Sequence, residues 1–208
     1  MKDLLNVVEN LKNSEVKNLV DARVRKFKEI TKKPSSEIFK ELCFCILTAN
    51  FNAEKTIKIQ NEICDGFLIL NEPQLVKKLE TLGHRYPSAR AKYILDVRKY
   101  KDSLKNIIKS FNIEEELREW LVKNVKGLGY KESSHFLRNI GFTNFAIIDF
   151  HIINILTRYN LIKKPKTLTK RKYLEIEGLL KKIAKKLDLD LAELDLYLWY
   201  IETGKILK

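Results

Sequence analysis

The sequence predicts an all-α fold, and three observations carry that prediction. Apolar residues recur at helical spacing almost throughout: Leu117, Trp120, Leu121 and Val125 share one face of 115–126, and Tyr173, Ile176, Leu180, Ile183 and Leu187 share one face of 172–187. Strand signals are scarce, with no Asn-Gly hairpin and no long apolar–polar alternation. Seven Gly and four Pro in 208 residues leave little turn punctuation. The expectation is about ten to twelve short helices packed as an irregular bundle.

Helix starts are marked along the chain. Pro34 followed by Ser35-Ser36-Glu37 opens a helix through Leu47. Asn71 ahead of Pro73 opens another, and Pro87-Ser88 a third. Thr167 and Thr169 precede the helix that carries Tyr173 to Leu187, and Asp188 or Asp190 starts the last one. Unit boundaries are expected near 30–36, from "KEITKKPSSE", and around 143–148. Pro165 in "KKPKTLTKRK" marks an exposed basic connector.

Composition narrows the function classes. Apolar residues make up 45% and aromatics 10%, which suits a globular chain rather than a disordered one. There is no run of eighteen apolar residues, and "MKDLLNVVENLKNSE" is too charged for a signal peptide, so a cytoplasmic protein without a membrane span is expected. Cys43, Cys45 and Cys64 have no metal-ligand spacing and read as reduced thiols. No four-cysteine cluster supports an iron–sulfur centre. The 40 Lys and Arg against 27 acids give +13, which points to a polyanionic partner, nucleic acid first. The other reading of that surplus is a solvated lysine-rich surface.

The chemistry is concentrated between Val125 and Ile152. Gly127-Leu128-Gly129 separates two helical segments. Glycine tolerates positive φ and lets another backbone approach closely, and Leu128 can plug the hairpin into the core. The following helix presents unpaired N–H groups and a positive dipole end, both suited to a phosphate. Such a helix–hairpin–helix reads as a sequence-independent clamp on a DNA backbone, and equally as an ordinary αα-corner. Ser133 and Ser134 are small enough for close packing of the two helices. Lys131 sits at the second helix's N-terminus, where the dipole disfavours positive charge. That field favours the neutral amine, which is the nucleophilic form. The alternative is a lysine aimed at a phosphate or at solvent. Asp149 lies in the apolar run "NFAIIDFHIINIL" and reads as the N-cap of a helix over 150–160. The same half-buried carboxylate could stabilise a cation or accept a proton.

Taken together, these residues resemble the helix–hairpin–helix–Gly/Pro–Asp superfamily of base-excision DNA glycosylases. Within it, "KGLGYKESSHFLRNIGF" followed by "AIIDFHI" is similar to the archaeal-type 8-oxoguanine DNA glycosylase/AP lyases. So are "ELCFCILTAN", "LGHRYPSARAKYI" and the ending "LDLYLWYIETGKILK". The resemblance runs from about residue 35 to the C-terminus. It implies two helical subdomains: 1–34 with 150–208, and a helical barrel, 35–149, carrying the helix–hairpin–helix at about 113–141. It implies Lys131 as nucleophile and Asp149 as its acidic partner. Gly127, Leu128 and Gly129 would grip the DNA backbone. Asn50 would fill the gap left by an extruded base, and His151 would lie near a backbone phosphate. Phe150 stands where a basic residue is expected, so one DNA-backbone or structural contact should be missing. Lys208, ending "GKILK", would help form the base pocket. No metal and no redox cofactor are implied. The implied partner is double-stranded DNA containing 8-oxoguanine, and a monomer is expected.

8-Oxoguanine differs from guanine at C8=O and at N7, which becomes a donor. Discrimination needs an acceptor aimed at N7–H, such as a backbone carbonyl or the carboxylate of Lys208. Trp199 or Phe44 could stack on the flipped base, although Trp199 also fits as packing for the last helix and Phe44 as core. Arg85 and Arg90, beside a turn with Gly and aromatic neighbours, are candidate DNA contacts, whereas His84 and His135 read as structural. Two other readings stay open. One is a non-catalytic helix–hairpin–helix DNA-binding module, which needs the hairpin but has no use for the Lys131 and Asp149 pair. The other is a glycosylase for a different oxidised base.

Overall fold

A computed structural model describes residues 1–208. It holds thirteen α-helices, one 3-10 turn and no strand. In chain order the helices are α1 (Lys2–Lys12), α2 (Val16–Ile30), α3 (Ser35–Thr48), α4 (Ala53–Ile63), α5 (Gly66–Ile69), α6 (Glu72–Thr81), α7 (Pro87–Val97), α8 (Leu104–Lys109), α9 (Glu114–Asn124), α10 (Tyr130–Asn139), α11 (Phe150–Arg158), α12 (Lys170–Lys186) and α13 (Leu191–Thr203). The count exceeds the expected ten to twelve because α5 and α8, of 4 and 6 residues, are too short to show a period in sequence. No helix is long and apolar enough to cross a membrane.

The chain forms two compact units. One comprises Met1–Lys28 and Gly141–Lys208, the other Glu29–Ile140. These divisions fall ahead of the expected 34/35 and 149/150. The reason at the second division is bonding. The Leu191 N–H donates to Thr143 O at 3.0 Å, and Ala146 and Ile148 are bonded to side chains of α12. The segment before Asp149 therefore belongs with α12 and α13.

In the unit Glu29–Ile140, α3 is the central helix. From Ile38 to Thr48 every residue but Lys40 is buried, the pattern of a helix wrapped on all sides. Helices α4, α7, α8 and α10 pack around it. A carboxylate buried there must be matched. Glu41 Oε1 accepts from Gln60 Nε2 at 3.1 Å, and Oε2 accepts from Asn139 Nδ2 at 3.3 Å. Asn139 Oδ1 in turn accepts from Arg138 Nη2 at 3.0 Å. Asn71 and Gln74 close a full capping box on α6, and Pro73 occupies its first turn. Thus α6 starts where its sequence signal says, and it packs on α7.

In the other unit, α13 packs on α1, α11 and α12. The stripe Tyr173, Ile176, Leu180, Ile183 and Leu187 is fully buried, as its spacing requires. Thr169 caps α12 through the Lys172 N–H. Asp190, not Asp188, caps α13, in a reciprocal box with Glu193. Gly204, at φ +71, ends α13 in the left-handed conformation that suits glycine.

Candidate functional site

The Gly-Leu-Gly turn joins α9 to α10, and its sequence is dictated by its neighbours. Gly127 has φ +91, and a Cβ there would lie 2.6 Å from the Tyr93 ring of α7. Both facts require glycine. Leu128 is 5% exposed and anchors the turn in the core. Gly129 is the N-cap of α10, and its N–H donates to Glu132 Oε2 at 3.2 Å. Ser133 and Ser134 are fully buried, so α9 and α10 pack closely. Arg118 of α9 reaches Ser134 Oγ at 3.3 Å and lies over the Tyr130 ring at 5.1 Å.

Lys131 lies in the first turn of α10. Its side chain is 24% exposed, and Nζ stands 3.7 Å from Glu132 Oε1. Glu132 therefore does two things: one oxygen closes the N-terminus of the helix, and the other faces the lysine. The lysine thus stands in the first turn of a helix with its side chain partly exposed.

Asp149 is the N-cap of α11, with Oδ1 accepting from the Ile152 N–H at 3.0 Å. Its approach is fixed from α12. The Tyr173 hydroxyl donates to Ala146 O at 2.6 Å and accepts from the Ile148 N–H at 3.3 Å. Glu177 Oε1 accepts from the Ala146 N–H at 3.0 Å. Within the buried run Phe145–Ile148, both backbone groups of Ala146 and the N–H of Ile148 thus find partners on α12.

Phe150 and His151 follow Asp149 directly, and Trp199 of α13 extends their line of ring contacts. Phe150 is 66% exposed and its ring centroid lies 3.8 Å from that of His151. His151 meets the Trp199 indole edge-on at 4.7 Å. His151 Nδ1 and Trp199 Nε1 are both buried without a protein hydrogen-bond partner. Trp199 packs on α11 through this ring contact while remaining partly exposed. Lys208 is partly exposed beyond the Gly204 cap.

Asn50 follows α3 with φ 57, exposed, and its amide makes no hydrogen bond within the protein. Arg85 is exposed, with its guanidinium 5.1 Å from the Tyr86 ring centre. Two expectations are corrected here. Arg90 is only 8% exposed and donates from Nη2 to Ala49 O at 2.5 Å, so its guanidinium is committed inside the unit rather than offered to DNA. Phe44 is 0% exposed in the middle of α3, edge-on to His135 at 5.6 Å, and has no face on which a base could stack.

With this geometry in place, the comparisons with known proteins are decisive. The Ogg-HhH family, 8-oxoguanine DNA glycosylase, matches residues 20–189. This chain belongs to that family. It is 54% identical over 206 residues to the 8-oxoguanine DNA glycosylase/AP lyase of Methanocaldococcus jannaschii, covering 99% of each chain. It is 53% identical over 207 residues to the protein of the same name from Korarchaeum cryptofilum, covering 99% of this chain and 98% of that one. A crystal structure of the Methanocaldococcus jannaschii glycosylase/lyase in complex with a 15mer DNA containing 8-oxoguanine superposes with a TM-score of 0.96. That match is at 53% identity and covers 99% of both chains.

In this glycosylase-family chain, the residues that hold the segments around Lys131 and Asp149 in place are less legible in sequence than those two residues themselves. Glu132 follows Gly129 at capping-box spacing, a signal that was available. Tyr173 and Glu177 carry no such signal. Tyr173 reads as one more apolar position of α12, and only the fold brings its hydroxyl to the run ahead of Asp149.

Proposed function

We propose that this protein is a bifunctional DNA glycosylase/AP lyase that excises 8-oxoguanine and nicks the strand through a lysine Schiff base. The observation that carries the reading is the full-length likeness to a glycosylase/lyase solved on DNA containing 8-oxoguanine, at 53% identity. A lysine beside a helix start and a carboxylate at a second helix start support it locally.

The reaction begins with extrusion of the damaged nucleotide, which costs a few kcal/mol. The hairpin Gly127–Gly129 and the α10 N-terminus grip the phosphates, and Asn50 fills the gap. Neutral Lys131 donates its Nζ lone pair to C1′ as the glycosidic bond breaks. The base leaves with that bond's electron pair and takes a proton. Asp149 offsets the positive charge that develops on the sugar. Asp149 Oδ1 is held by the cap, while Oδ2 has no protein partner and is free to act. Opening of the sugar ring gives an iminium between Nζ and C1′. The iminium acidifies the C2′ proton, and its removal expels the 3′ phosphate by β-elimination. Water then releases the lysine. An amine is required, because a hydroxyl cannot form the imine on which the second step depends.

Borohydride trapping tests this reading. Duplex DNA with one 8-oxoguanine opposite cytosine should give a covalent complex with the wild type. Lys131→Gln and undamaged DNA should give none. A wild type that binds the duplex but traps neither 8-oxoguanine nor abasic DNA returns the protein to a non-catalytic binding module. Trapping on abasic DNA alone keeps Lys131 and moves the substrate to another oxidised base.

A further inference from the structure

The turn after α3 carries a second layer of the site. An α-helix leaves its last carbonyls without intrahelical partners, and a left-handed glycine commonly closes that end. Here Ala49 is extended, at φ −60 and ψ 111, and the left-handed residue is Asn50, at φ 57. Asparagine enters this region more readily than other non-glycine residues, so modest restraint from its surroundings is enough to hold it there.

Those surroundings are specific. The Leu47 carbonyl accepts from His84 Nε2 at 3.0 Å. The Ala49 carbonyl accepts from Arg90 Nη2 at 2.5 Å. The Phe51 N–H returns to Thr48 O at 3.0 Å, and the Phe51 ring lies on the His84 ring at 4.3 Å. His84 is itself fixed, because its Nδ1 accepts from the Tyr86 N–H at 3.0 Å. A carbonyl only accepts and an amide N–H only donates, so His84 is the neutral Nε2–H tautomer. Arg90 is held between the Tyr86 and Tyr93 rings, at 5.7 and 5.6 Å. Both side chains are nearly buried, at 5% and 8% exposure. All of this apparatus ends on one exposed amide that bonds to nothing in the protein.

We infer that His84 and Arg90 are positioning residues for Asn50. By holding the last carbonyls of α3 they impose the left-handed turn that presents the Asn50 side chain. The inference rests on the reading of Asn50 as the group that fills the gap in the duplex. It separates binding from extrusion. Asn50 matters where a base pair must be opened, and matters less at an abasic site, where no base is removed from the stack.

A double-mutant cycle tests it. Single-turnover excision of 8-oxoguanine opposite cytosine is measured alongside cleavage of an abasic duplex. The enzymes are wild type, Asn50→Gly, Arg90→Met and the double variant. Glycine keeps the positive φ and deletes only the amide. Misplacing a functional group by about 1 Å can cost on the order of a hundredfold in rate, so that loss is expected for Asn50→Gly and for Arg90→Met on 8-oxoguanine. Abasic cleavage should fall much less. The double variant should be no slower than Asn50→Gly, because Arg90 has nothing left to position. Arg90→Lys, which can still reach Ala49 O, should recover part of the rate. Should Arg90→Met fail to fold, His84→Gln in both backgrounds supplies the same cycle. Equal losses from Arg90→Met in the wild-type and Asn50→Gly backgrounds would overturn the positioning role while leaving Asn50 in place. A wild-type rate for Asn50→Gly would instead overturn the reading of Asn50, and the inference with it.

Discussion

The hydroxyl of Tyr173 donates to the carbonyl of Ala146 at 2.6 Å, three positions ahead of Asp149. The same oxygen accepts from Ile148 N–H, so one phenol satisfies two backbone groups of a buried extended segment. Tyr173→Phe removes both bonds and leaves the ring. Each buried group left unpaired costs about 1–3 kcal/mol. Thermal unfolding should therefore begin at a lower temperature. Single-turnover excision should fall further than DNA affinity does, because the disturbed segment leads to Asp149 and not to the hairpin.

Asp149 caps α11, and two substitutions separate that structural role from the chemical role proposed for it. Asp149→Asn keeps an oxygen for the Ile152 N–H and deletes the charge. Its melting temperature should stay near wild type while excision collapses. Asp149→Ala deletes both, and loss of the cap adds about 1 kcal/mol of destabilisation. Calorimetry alongside a quenched-flow excision assay distinguishes the two variants. Equal excision by Asp149→Asn and wild type would remove the carboxylate from the chemistry.

Gly127 answers to two constraints, and they are separable. Gly127→Ala places a methyl 2.6 Å from the Tyr93 ring at a backbone φ of +91. The φ strain alone is about 1–2 kcal/mol. A loss of that size lowers the melting temperature by roughly 2–4 °C per kcal/mol in a chain of this length. Measured against Tyr93→Ala alone, the double variant Gly127→Ala/Tyr93→Ala should be free of the clash but should keep the strain. DNA binding should weaken in both, since the hairpin backbone is displaced.

His84 makes stability depend on pH in a defined direction. Burial pushes its imidazole below the ordinary 6.5; the hydrogen bond to Leu47 O opposes this in part, and the nearby Arg90 guanidinium adds a smaller push downward. The Tyr86 N–H facing Nδ1 also favours the neutral form. With the folded value depressed, the unfolded chain binds the proton first as pH falls. The stabilisation is complete above about 6.5 and is lost as pH drops from there through the folded value. Melting temperatures between pH 8 and pH 5 should fall more steeply for wild type than for His84→Gln. Parallel curves would show that His84 does not contribute this linkage.

The all-α fold was legible from residue order because helix signals are local. The stripe from Tyr173 to Leu187, the Asn71–Pro73 start and the Asp149 and Asp190 caps each depend on residues within a turn or two of one another. The hairpin and its lysine were legible for the same reason, since Gly127, Gly129 and Lys131 are neighbours in sequence. By itself, then, the sequence determined the helices, the glycine hairpin and the titratable groups placed at helix starts. Tertiary structure decided which side chains support them. Arg90 looked like a DNA contact because it is a cation beside a turn, yet the fold turns it onto Ala49 O. Phe44 looked available for stacking, yet α3 is wrapped on every side. Tyr173 and Glu177 read as ordinary positions of α12 until the chain brought them to Ala146. Local hydrogen bonds and periodicity act over a few residues, whereas burial and pairing across tens of residues exist only once the chain has folded.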